Sequence, residues 1–233
     1  MFRPTHIFFD LDHTLWDYDT NAEETIRELL VSYRPLIGAE MPFDVFYPIY
    51  LGHNHRLWER YRKNEIDNLT LRYQRWEDAF HDLGVARAEW MRQIGEDFLA
   101  ICPRKKALLP NAVEVLDLIA ENYPLHLITN GFAPIQDVKL ECSGLRDYFD
   151  VIMTPDACGY KKPHPQIFHD ALNAANCPAE QALFVGDSYA EDIEGGSKVG
   201  MDVVFFNPKA KENPGRFPEI RDLLELLPLV GLG

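Results

Sequence analysis

Close to the start of the 233-residue sequence lies the segment Ile7-Phe8-Phe9-Asp10-Leu11-Asp12-His13-Thr14. Its three consecutive apolar residues are typical of a short strand that is buried on both faces of a parallel sheet. Two aspartates follow at the point where this strand is predicted to end. The stretch therefore predicts an α/β fold with polar chemistry at a strand terminus.

Four more apolar runs predict strands, at Leu125–Ile128, Val151–Met153, Ala182–Val185 and Val203–Phe206. Helical stretches between them carry start and stop signals: Asn111 with Glu114 as a capping pair, Pro134 in a first turn, and Gly144 after a last turn. Alternating strands and helices predict right-handed crossovers and a doubly wound, Rossmann-like parallel sheet. Ligands of such folds bind beyond the carboxyl ends of the strands.

The stretch from Asp17 to Lys105 contains no convincing strand but several amphipathic runs. Thr20 with Glu23 predicts the start of a first helix. Further helices are predicted through Phe46–Tyr61, Leu69–Leu83 and Trp90–Ile101. We therefore expect two domains, an α/β core made of residues 1–16 and 106–233 and an inserted helical domain made of residues 17–105.

The charge balance excludes some classes of partner. The chain has 23 Lys+Arg against 37 Asp+Glu, a formal net charge of -14. A sequence-independent nucleic-acid binder needs a basic surface, and so does a protein that docks on anionic membranes. We expect neither partner, and a phosphorylated ligand would need local cations to offset the acidic surface.

The cysteines and the amino terminus predict a cytoplasmic protein. Cys102, Cys142, Cys158 and Cys177 form no CxxC pair, which favours reduced thiols. No charged leader followed by an apolar run precedes Ile7, and no segment is long and apolar enough to span a bilayer.

Asp10 and Asp12 are the first candidate catalytic residues. If the strand continued through them, its period of two would place both carboxylates on the same side. Two close carboxylates are tolerable when a cation lies between them or one stays protonated, and phosphoryl transfer uses both solutions. The alternative interpretation is a polar cap where a strand turns.

Two further segments offer phosphate-binding groups. Thr129-Asn130-Gly131 follows the second strand with a hydroxyl, an amide and backbone N–H groups, although Asn-Gly is also a common turn. Lys162 lies in a loop stiffened by Pro163 and Pro165, which favours an ammonium aimed inward; a lone lysine before proline is otherwise usually solvated.

The fourth segment, Gly186-Asp187-Ser188, follows the fourth strand and leads to Glu191-Asp192. Ser188 with Glu191 matches a capping box, which explains both residues structurally. Asp187 and Asp192 remain as candidate oxygen ligands of Mg²⁺. All four segments fall at carboxyl ends of predicted strands, where a doubly wound fold assembles its site.

Together the four segments resemble the motifs of the haloacid dehalogenase superfamily: Asp10-Leu11-Asp12-His13-Thr14, Thr129-Asn130, Lys162-Pro163, and Gly186-Asp187-Ser188 with Asp192. The resemblance covers the whole chain in order, and the insert is similar to the superfamily's helical cap. It implies a phosphatase in which Asp10 attacks phosphorus to form an aspartyl phosphate. Asp12 would protonate the leaving oxygen and then activate water.

The resemblance also implies a Mg²⁺ cofactor bound by Asp10, the backbone carbonyl of Asp12, and Asp187. Asp192 would support the metal through its outer shell or a water. For the phosphate, it implies binding by Thr129, Asn130 and Lys162, with Lys162 also holding the nucleophile.

A narrower resemblance, to the bacterial pyrimidine 5′-nucleotidase group, rests on the run Leu11–Asp19, on Gly195-Gly196 and on Asn207-Pro208. It implies a nucleoside monophosphate as the small phosphorylated substrate. Residues that we expect to be mostly core, with a minority contacting substrate, are Trp16, Tyr18, Phe46, Tyr47, Tyr50, Asn54 and Trp58.

Four alternatives stay open. The first two are a phosphatase on another small metabolite, such as a sugar phosphate or phosphoglycolate, and a phosphosugar mutase. The superfamily's 2-haloacid dehalogenases lack the second aspartate of the first motif, so Asp12 disfavours that activity. A phospho-accepting receiver module is disfavoured by the first-strand position of Asp10 and by the large insert.

His53 and His55 lack the spacing of zinc ligands, which disfavours a zinc site. No GxxxxGK[ST] or GxGxxG motif appears, which disfavours kinases, NTPases and dinucleotide-dependent oxidoreductases.

Overall fold

A computed structural model describes residues 2–215 and 217–232. Within these residues, one sheet of six parallel strands forms the centre of the α/β unit. The strands are β1 (His6–Phe9), β2 (Leu125–Ile128), β3 (Phe149–Met153), β4 (Ala182–Gly186), β5 (Asp202–Phe206) and β6 (Glu219–Ile220).

The order of the strands explains where the site lies. They are arranged β3-β2-β1-β4-β5-β6, so the chain first winds outward from β1 to β3 and then returns to pair β4 with the other edge of β1. The reversal leaves a crevice between the carboxyl ends of β1 and β4, which is where ligands of doubly wound sheets bind. Asp10 follows β1 and Asp187 follows β4 directly at this crevice.

The helices of the chain have the following bounds: α1 (Tyr18–Ile37), α2 (Phe43–Arg62), α3 (Asn68–Asp82), α4 (Trp90–Ile101), α5 (Ala112–Ala120), α6 (Ala133–Ser143), α7 (Pro155–Cys158), α8 (Pro165–Ala174), α9 (Glu194–Lys198) and α10 (Leu226–Leu229). A π-helical turn, Tyr189–Ile193, precedes α9. Short 3₁₀ turns lie at Cys102–Arg104, Arg146–Tyr148, Ala179–Gln181 and Leu223–Glu225.

Apolar side chains on the sheet form the core that fixes the site-bearing loops. Phe8, Phe168, Phe184 and Phe205 belong to one buried cluster, each with 0–1% of its surface exposed. Strands buried on both faces read as continuous apolar runs, which is why the sequence identifies them. Gly144 ends α6 with a φ of +76°, as the stop signal predicts.

The chain divides into two compact units, Met1–Tyr18 with Lys106–Gly233, and Asp19–Lys105. Residues 17 and 18 thus group with the α/β unit, whereas the sequence-based boundary lies at residue 16. The second unit consists of α1 from Asp19 onward, α2, α3 and α4 with a 3₁₀ turn. In its core, Phe46 stacks on Tyr50 and Trp76 and packs at a tilt against Phe80.

The candidate substrate-contacting residues of α2 are largely core, as expected. Phe46 and Tyr50 are 0% and 1% exposed. Asn54 is also buried, and its Oδ1 accepts a hydrogen bond from Arg75 Nη1 at 2.9 Å. Trp58 packs edge-on against Tyr61. No helix within the described residues is long and apolar enough to cross a membrane.

The fold class is confirmed, but three local predictions were wrong. The first helix begins at Tyr18, so Thr20 lies inside it instead of capping it. Asn111 precedes α5 in the left-handed conformation, with φ +64°, and its amide donates to Asp222 at 2.8 Å; its side chain makes no capping bond. The sixth strand, β6, was missed because two residues carry no readable pattern.

Two leucines of α5 test how much the core contributes to stability. Leu116 is fully buried, whereas Leu118, two residues on, is 42% exposed. We expect Leu116→Ala to lower the free energy of unfolding by about 2–5 kcal/mol through lost burial and a residual cavity. Leu118→Ala is the matched control and should change it by no more than about 0.5 kcal/mol. Denaturant unfolding measures both, and equal effects would contradict the assignment of α5's buried face.

Candidate active site

The centre of the site is the Lys162 ammonium, which is 2% exposed. Its Nζ lies 2.6 Å from Asp10 Oδ1 and 2.6 Å from Asp192 Oδ1. Burial disfavours the charged amine, but the two carboxylates outweigh burial and raise the pKa of Lys162. Lys162 is therefore charged throughout the neutral range and joins the loop after β1 to the turn after β4.

Three carboxylates converge beside this ammonium. Oxygen atoms of Asp10, Asp187 and Asp192 all lie within 4.8 Å of one another. Burial raises the pKa of Asp10 well above its usual value, Lys162 opposes the rise, and the other two aspartates add to it. Burial likewise raises the pKa of Asp192, again against Lys162.

This donor set fits a divalent metal. Hard cations such as Mg²⁺ take carboxylate oxygens. A cation would offset the repulsion between the aspartates, which adds to burial in raising the pKa values of Asp10 and Asp192. Lys211 Nζ, 2.9 Å from Asp187 Oδ2, supplies a further positive charge at the cluster. Asp10, Asp187 and Asp192 are the side chains that would hold the metal.

Asp192 reaches the cluster because Gly186 has no side chain. A Cβ on Gly186 would lie 2.3 Å from Asp192 Oδ2, closer than atoms can approach. The same oxygen accepts a hydrogen bond from the Ser188 backbone N–H at 3.0 Å. The glycine at the end of β4 is thus a requirement of the site.

Asp12 lies in a different environment from Asp10. The strand ends at Phe9, so the alternation that would align the two carboxylates does not extend to them. Lys139 Nζ lies 2.6 Å and 2.8 Å from the two oxygens of Asp12, and Gln136 Nε2 lies 3.2 Å from Oδ2. Among the described residues, Asp12 is outside the cluster of metal-competent carboxylates.

Thr129 offers a hydroxyl to a ligand. Its Oγ1 accepts hydrogen bonds from Gln136 Nε2 at 2.7 Å and from the Gly131 backbone N–H at 3.1 Å. A hydroxyl has two acceptor lone pairs and one donor hydrogen, so these bonds leave the hydrogen for a phosphoryl oxygen. The phosphate contact of Thr129 stays a prediction.

The side-chain amide of Asn130 is bound to other parts of the protein. Its Nδ2 donates to the Lys162 carbonyl at 3.0 Å and to Glu191 Oε2 at 2.9 Å, while its Oδ1 accepts from the Lys162 backbone N–H at 2.7 Å. Both amide hydrogens are committed to protein acceptors. The side chain therefore positions the Lys162 loop, and the phosphate contact of Asn130 stays a prediction.

The capping prediction for the last motif is half right. Ser188 Oγ accepts from the Glu191 backbone N–H at 3.4 Å, as a capping residue does. The Glu191 carboxylate instead accepts the Asn130 hydrogen bond. Glu191 thus links the second and fourth motifs.

Four polar residues of the site were missed by sequence reasoning: Gln136, Lys139, Glu191 and Lys211. Gln136 and Lys139 are three apart and share one face of α6. That spacing was the available signal, but polar residues at helical spacing usually mark a solvated face. Lys211 lies in a polar loop, where one lysine carries no distinguishing pattern.

The chain belongs to the haloacid dehalogenase-like hydrolase family, which matches residues 4–200. Over 89% of its length it is 34% identical to pyrimidine 5′-nucleotidase YjjG from Escherichia coli (strain K12), covering 88% of that protein. It is also 30% identical to pyrimidine 5′-nucleotidase PynA from Streptococcus pneumoniae, over 89% of this chain and 85% of that protein. A glyceraldehyde 3-phosphate phosphatase from Pyrococcus abyssi is 32% identical over 86% of this chain and 80% of its own.

Among solved structures, YfnB from Bacillus subtilis, bound to magnesium, superposes with a TM-score of 0.88. The match covers 98% of this chain and 99% of that chain at 24% identity, a level that shows the fold alone. The family match and the named relatives together make the chain a phosphatase-type hydrolase of this family.

Removal of the Lys162 ammonium should destabilise the protein in the absence of metal, by an amount that depends on pH. Lys162→Met leaves Asp10 and Asp192 buried without their partner, a change that costs about 3–5 kcal/mol at neutral pH. Burial keeps the pKa values of both acids raised, so acidification protonates them and the deficit should shrink as pH falls. Wild-type Lys162 stays charged over this range because its own pKa is raised.

Denaturant unfolding with a chelator, at neutral and mildly acidic pH, measures this difference. Lys198→Met removes a lysine whose side chain is 62% exposed and serves as the matched control. A deficit that is absent, or that grows on acidification, would contradict the buried ion-pair arrangement.

Gly186→Ala tests the approach of Asp192 to the metal-competent cluster. The added methyl must displace Asp192, so we expect Mg²⁺ affinity to fall about 10- to 100-fold, as on loss of a metal's supporting contacts. Isothermal titration calorimetry measures it. Gly52→Ala is the control, since its added Cβ meets nothing within 4 Å. Unchanged affinity in Gly186→Ala would remove Asp192 from the metal site.

Proposed function

We propose that the protein is a Mg²⁺-dependent phosphomonoesterase that forms an aspartyl phosphate, with pyrimidine nucleoside 5′-monophosphates as substrates. The proposal rests mainly on the different surroundings of Asp10 and Asp12. Asp10 is 7% exposed and bound by Lys162, next to the metal-competent acids, whereas the Asp12 carboxylate is bound by two residues of α6. One residue is thereby suited to attack and the other to proton transfer.

In the first step, an oxygen of Asp10 forms a bond to phosphorus while the bond from phosphorus to the ester oxygen breaks. Asp12 donates a proton to that leaving oxygen, which departs as an alcohol. Lys162 holds Asp10, and the Thr129 hydroxyl donates to a phosphoryl oxygen. When bound, Mg²⁺ supplies positive charge that offsets the negative phosphoryl oxygens.

In the second step, Asp12 takes a proton from water as the water oxygen attacks phosphorus. The bond from phosphorus to Asp10 breaks, which releases inorganic phosphate and restores the carboxylate of Asp10. Asp12 has then exchanged one proton in each direction, so the cycle balances.

The presence of Asp12 favours phosphate esters over haloacids. A halide leaves carbon without needing a proton, whereas an alkoxide leaving a phosphate ester does need one. The nucleotidase assignment is supported by the two pyrimidine 5′-nucleotidase relatives at 34% and 30% identity. A sugar-phosphate substrate has support from the 32% identical glyceraldehyde 3-phosphate phosphatase and is the second candidate.

A phosphate-release screen tests the proposed substrates. The panel contains UMP, dUMP, dTMP, phosphosugars, glyceraldehyde 3-phosphate and phosphoglycolate, each with Mg²⁺ and with a chelator, and a 2-haloacid as control. We expect Mg²⁺-dependent release with the highest kcat/KM on the pyrimidine nucleotides. Higher kcat/KM on phosphosugars would reject the nucleotidase assignment, formation of an isomeric phosphosugar would indicate a mutase, and halide release without metal would overturn the phosphatase assignment.

Asp10→Asn tests the nucleophile within the same screen. An amide is too poor a nucleophile to form the intermediate, so turnover should fall by at least about 10⁴-fold while the protein remains folded. Asp137→Asn, an exposed position on α6, is the control for a general effect of the substitution. Substantial activity in Asp10→Asn would reject Asp10 as the nucleophile.

A further inference from the structure

Lys139 of α6 is a buried lysine that the steps above do not use. It is 5% exposed, and its Nζ lies 2.6 Å from Asp12 Oδ1 and 2.8 Å from Asp12 Oδ2. Lysine is almost never fully buried unless it is paired. Its pairing with both oxygens of one carboxylate fixes the orientation of that carboxylate more tightly than a single contact would.

Aromatic rings hold the ammonium in place. Lys139 Nζ lies 4.5 Å from the ring centre of Trp16 and 5.8 Å from that of Tyr18. Cations are attracted to the faces of such rings within about 6 Å. Trp16 itself is fully buried, so the ammonium lies against a ring that is packed in the core.

Gln136, one helical turn before Lys139, contributes the second support. It is fully buried, and its Nε2 lies 3.2 Å from Asp12 Oδ2 and 2.7 Å from Thr129 Oγ1. Gln136 thus ties the carboxylate of the first motif to the hydroxyl of the second. A Cβ on Gly131 would lie 2.4 Å from Gln136, so the glycine after Asn130 is what leaves room for it.

We propose that Lys139, aided by Gln136, is a positioning residue that holds Asp12 in place for proton transfer to the leaving oxygen. The inference rests on the proposed phosphatase function and deepens it. The Asp12 side chain keeps 24% of its surface exposed despite these contacts, so an edge of the carboxylate remains open to a substrate. In this role Lys139 acts through Asp12, the carboxylate that its ammonium contacts.

If Lys139 positions Asp12, the effect of removing Lys139 should depend on whether the leaving group needs a proton. An alkyl phosphate, such as a nucleotide, needs a proton on its leaving oxygen, whereas p-nitrophenolate leaves without one. The parameter kcat/KM covers the steps through departure of the leaving group. A misplaced Asp12 should therefore lower kcat/KM for nucleotides much more than for p-nitrophenyl phosphate.

The experiment compares Lys139→Met with wild type on UMP and on p-nitrophenyl phosphate, both with Mg²⁺. Misplacing a reacting group by about 1 Å costs on the order of 100-fold, so we expect kcat/KM on UMP to fall about 10- to 100-fold. The fall on p-nitrophenyl phosphate should be several times smaller. Lys198→Met is the matched control and should show no split between the substrates.

A double-mutant cycle separates positioning from general damage. In an Asp12→Asn background, Lys139→Met should cause little further loss on UMP, because there is no acid left to position. Gln136→Met keeps the side-chain length and should also lower kcat/KM more on UMP than on p-nitrophenyl phosphate, by a smaller factor than Lys139→Met. It replaces Lys139→Met in the experiment if that variant does not fold.

The results separate two kinds of failure. Equal losses on both esters, or a full additional loss in the Asp12→Asn background, would overturn the positioning role while leaving the phosphatase function intact. A wild-type protein that releases phosphate from neither ester would overturn the proposed function, and the role of Lys139 would fall with it.

Discussion

The site depends on one interaction, the contact of the Lys162 ammonium with the carboxylates of Asp10 and Asp192. Each N–O distance is 2.6 Å, and all three side chains are at least nine-tenths buried. Uncompensated charges would cost several kcal/mol apiece in such surroundings. The sheet order makes the contact available, because β1 and β4 are neighbours at the point where the winding reverses.

A second lysine creates the division between the two aspartates of the first motif. Asp10 is bound by Lys162 from the loop before α8, and Asp12 by Lys139 from α6. The two acids are only two residues apart, yet they contact different cations and different parts of the fold. Asn130 supports the first pairing by binding the Lys162 backbone, and Gln136 supports the second. The proposed roles of nucleophile and acid/base follow from this division.

The strands and the four motifs can be predicted from the sequence because a buried parallel strand is a continuous apolar run. The polar residues that follow each run mark the crevice at the carboxyl ends of the strands. The long-range partners are not legible. Asn130 reads as a turn residue, and only tertiary contact shows that its amide holds the Lys162 loop. Lys139 reads as a solvated helical lysine, although it is buried against Trp16. Local patterns report burial and turns, whereas the contacts of Lys162 join residues 30 and 152 positions apart.

In the proposed reaction, phosphoryl transfer passes through Asp10. Rapid acid quenching of the protein with UMP and Mg²⁺, followed by peptide mapping, measures it most directly. We expect a phosphoryl group on Asp10 that forms within the first turnover and disappears when substrate is exhausted. A phosphoryl group on any other residue would exclude Asp10 as the nucleophile. So would steady phosphate release from p-nitrophenyl phosphate, whose leaving group needs no proton, with no phosphorylated protein in an Asp12→Asn variant whose second step is slowed.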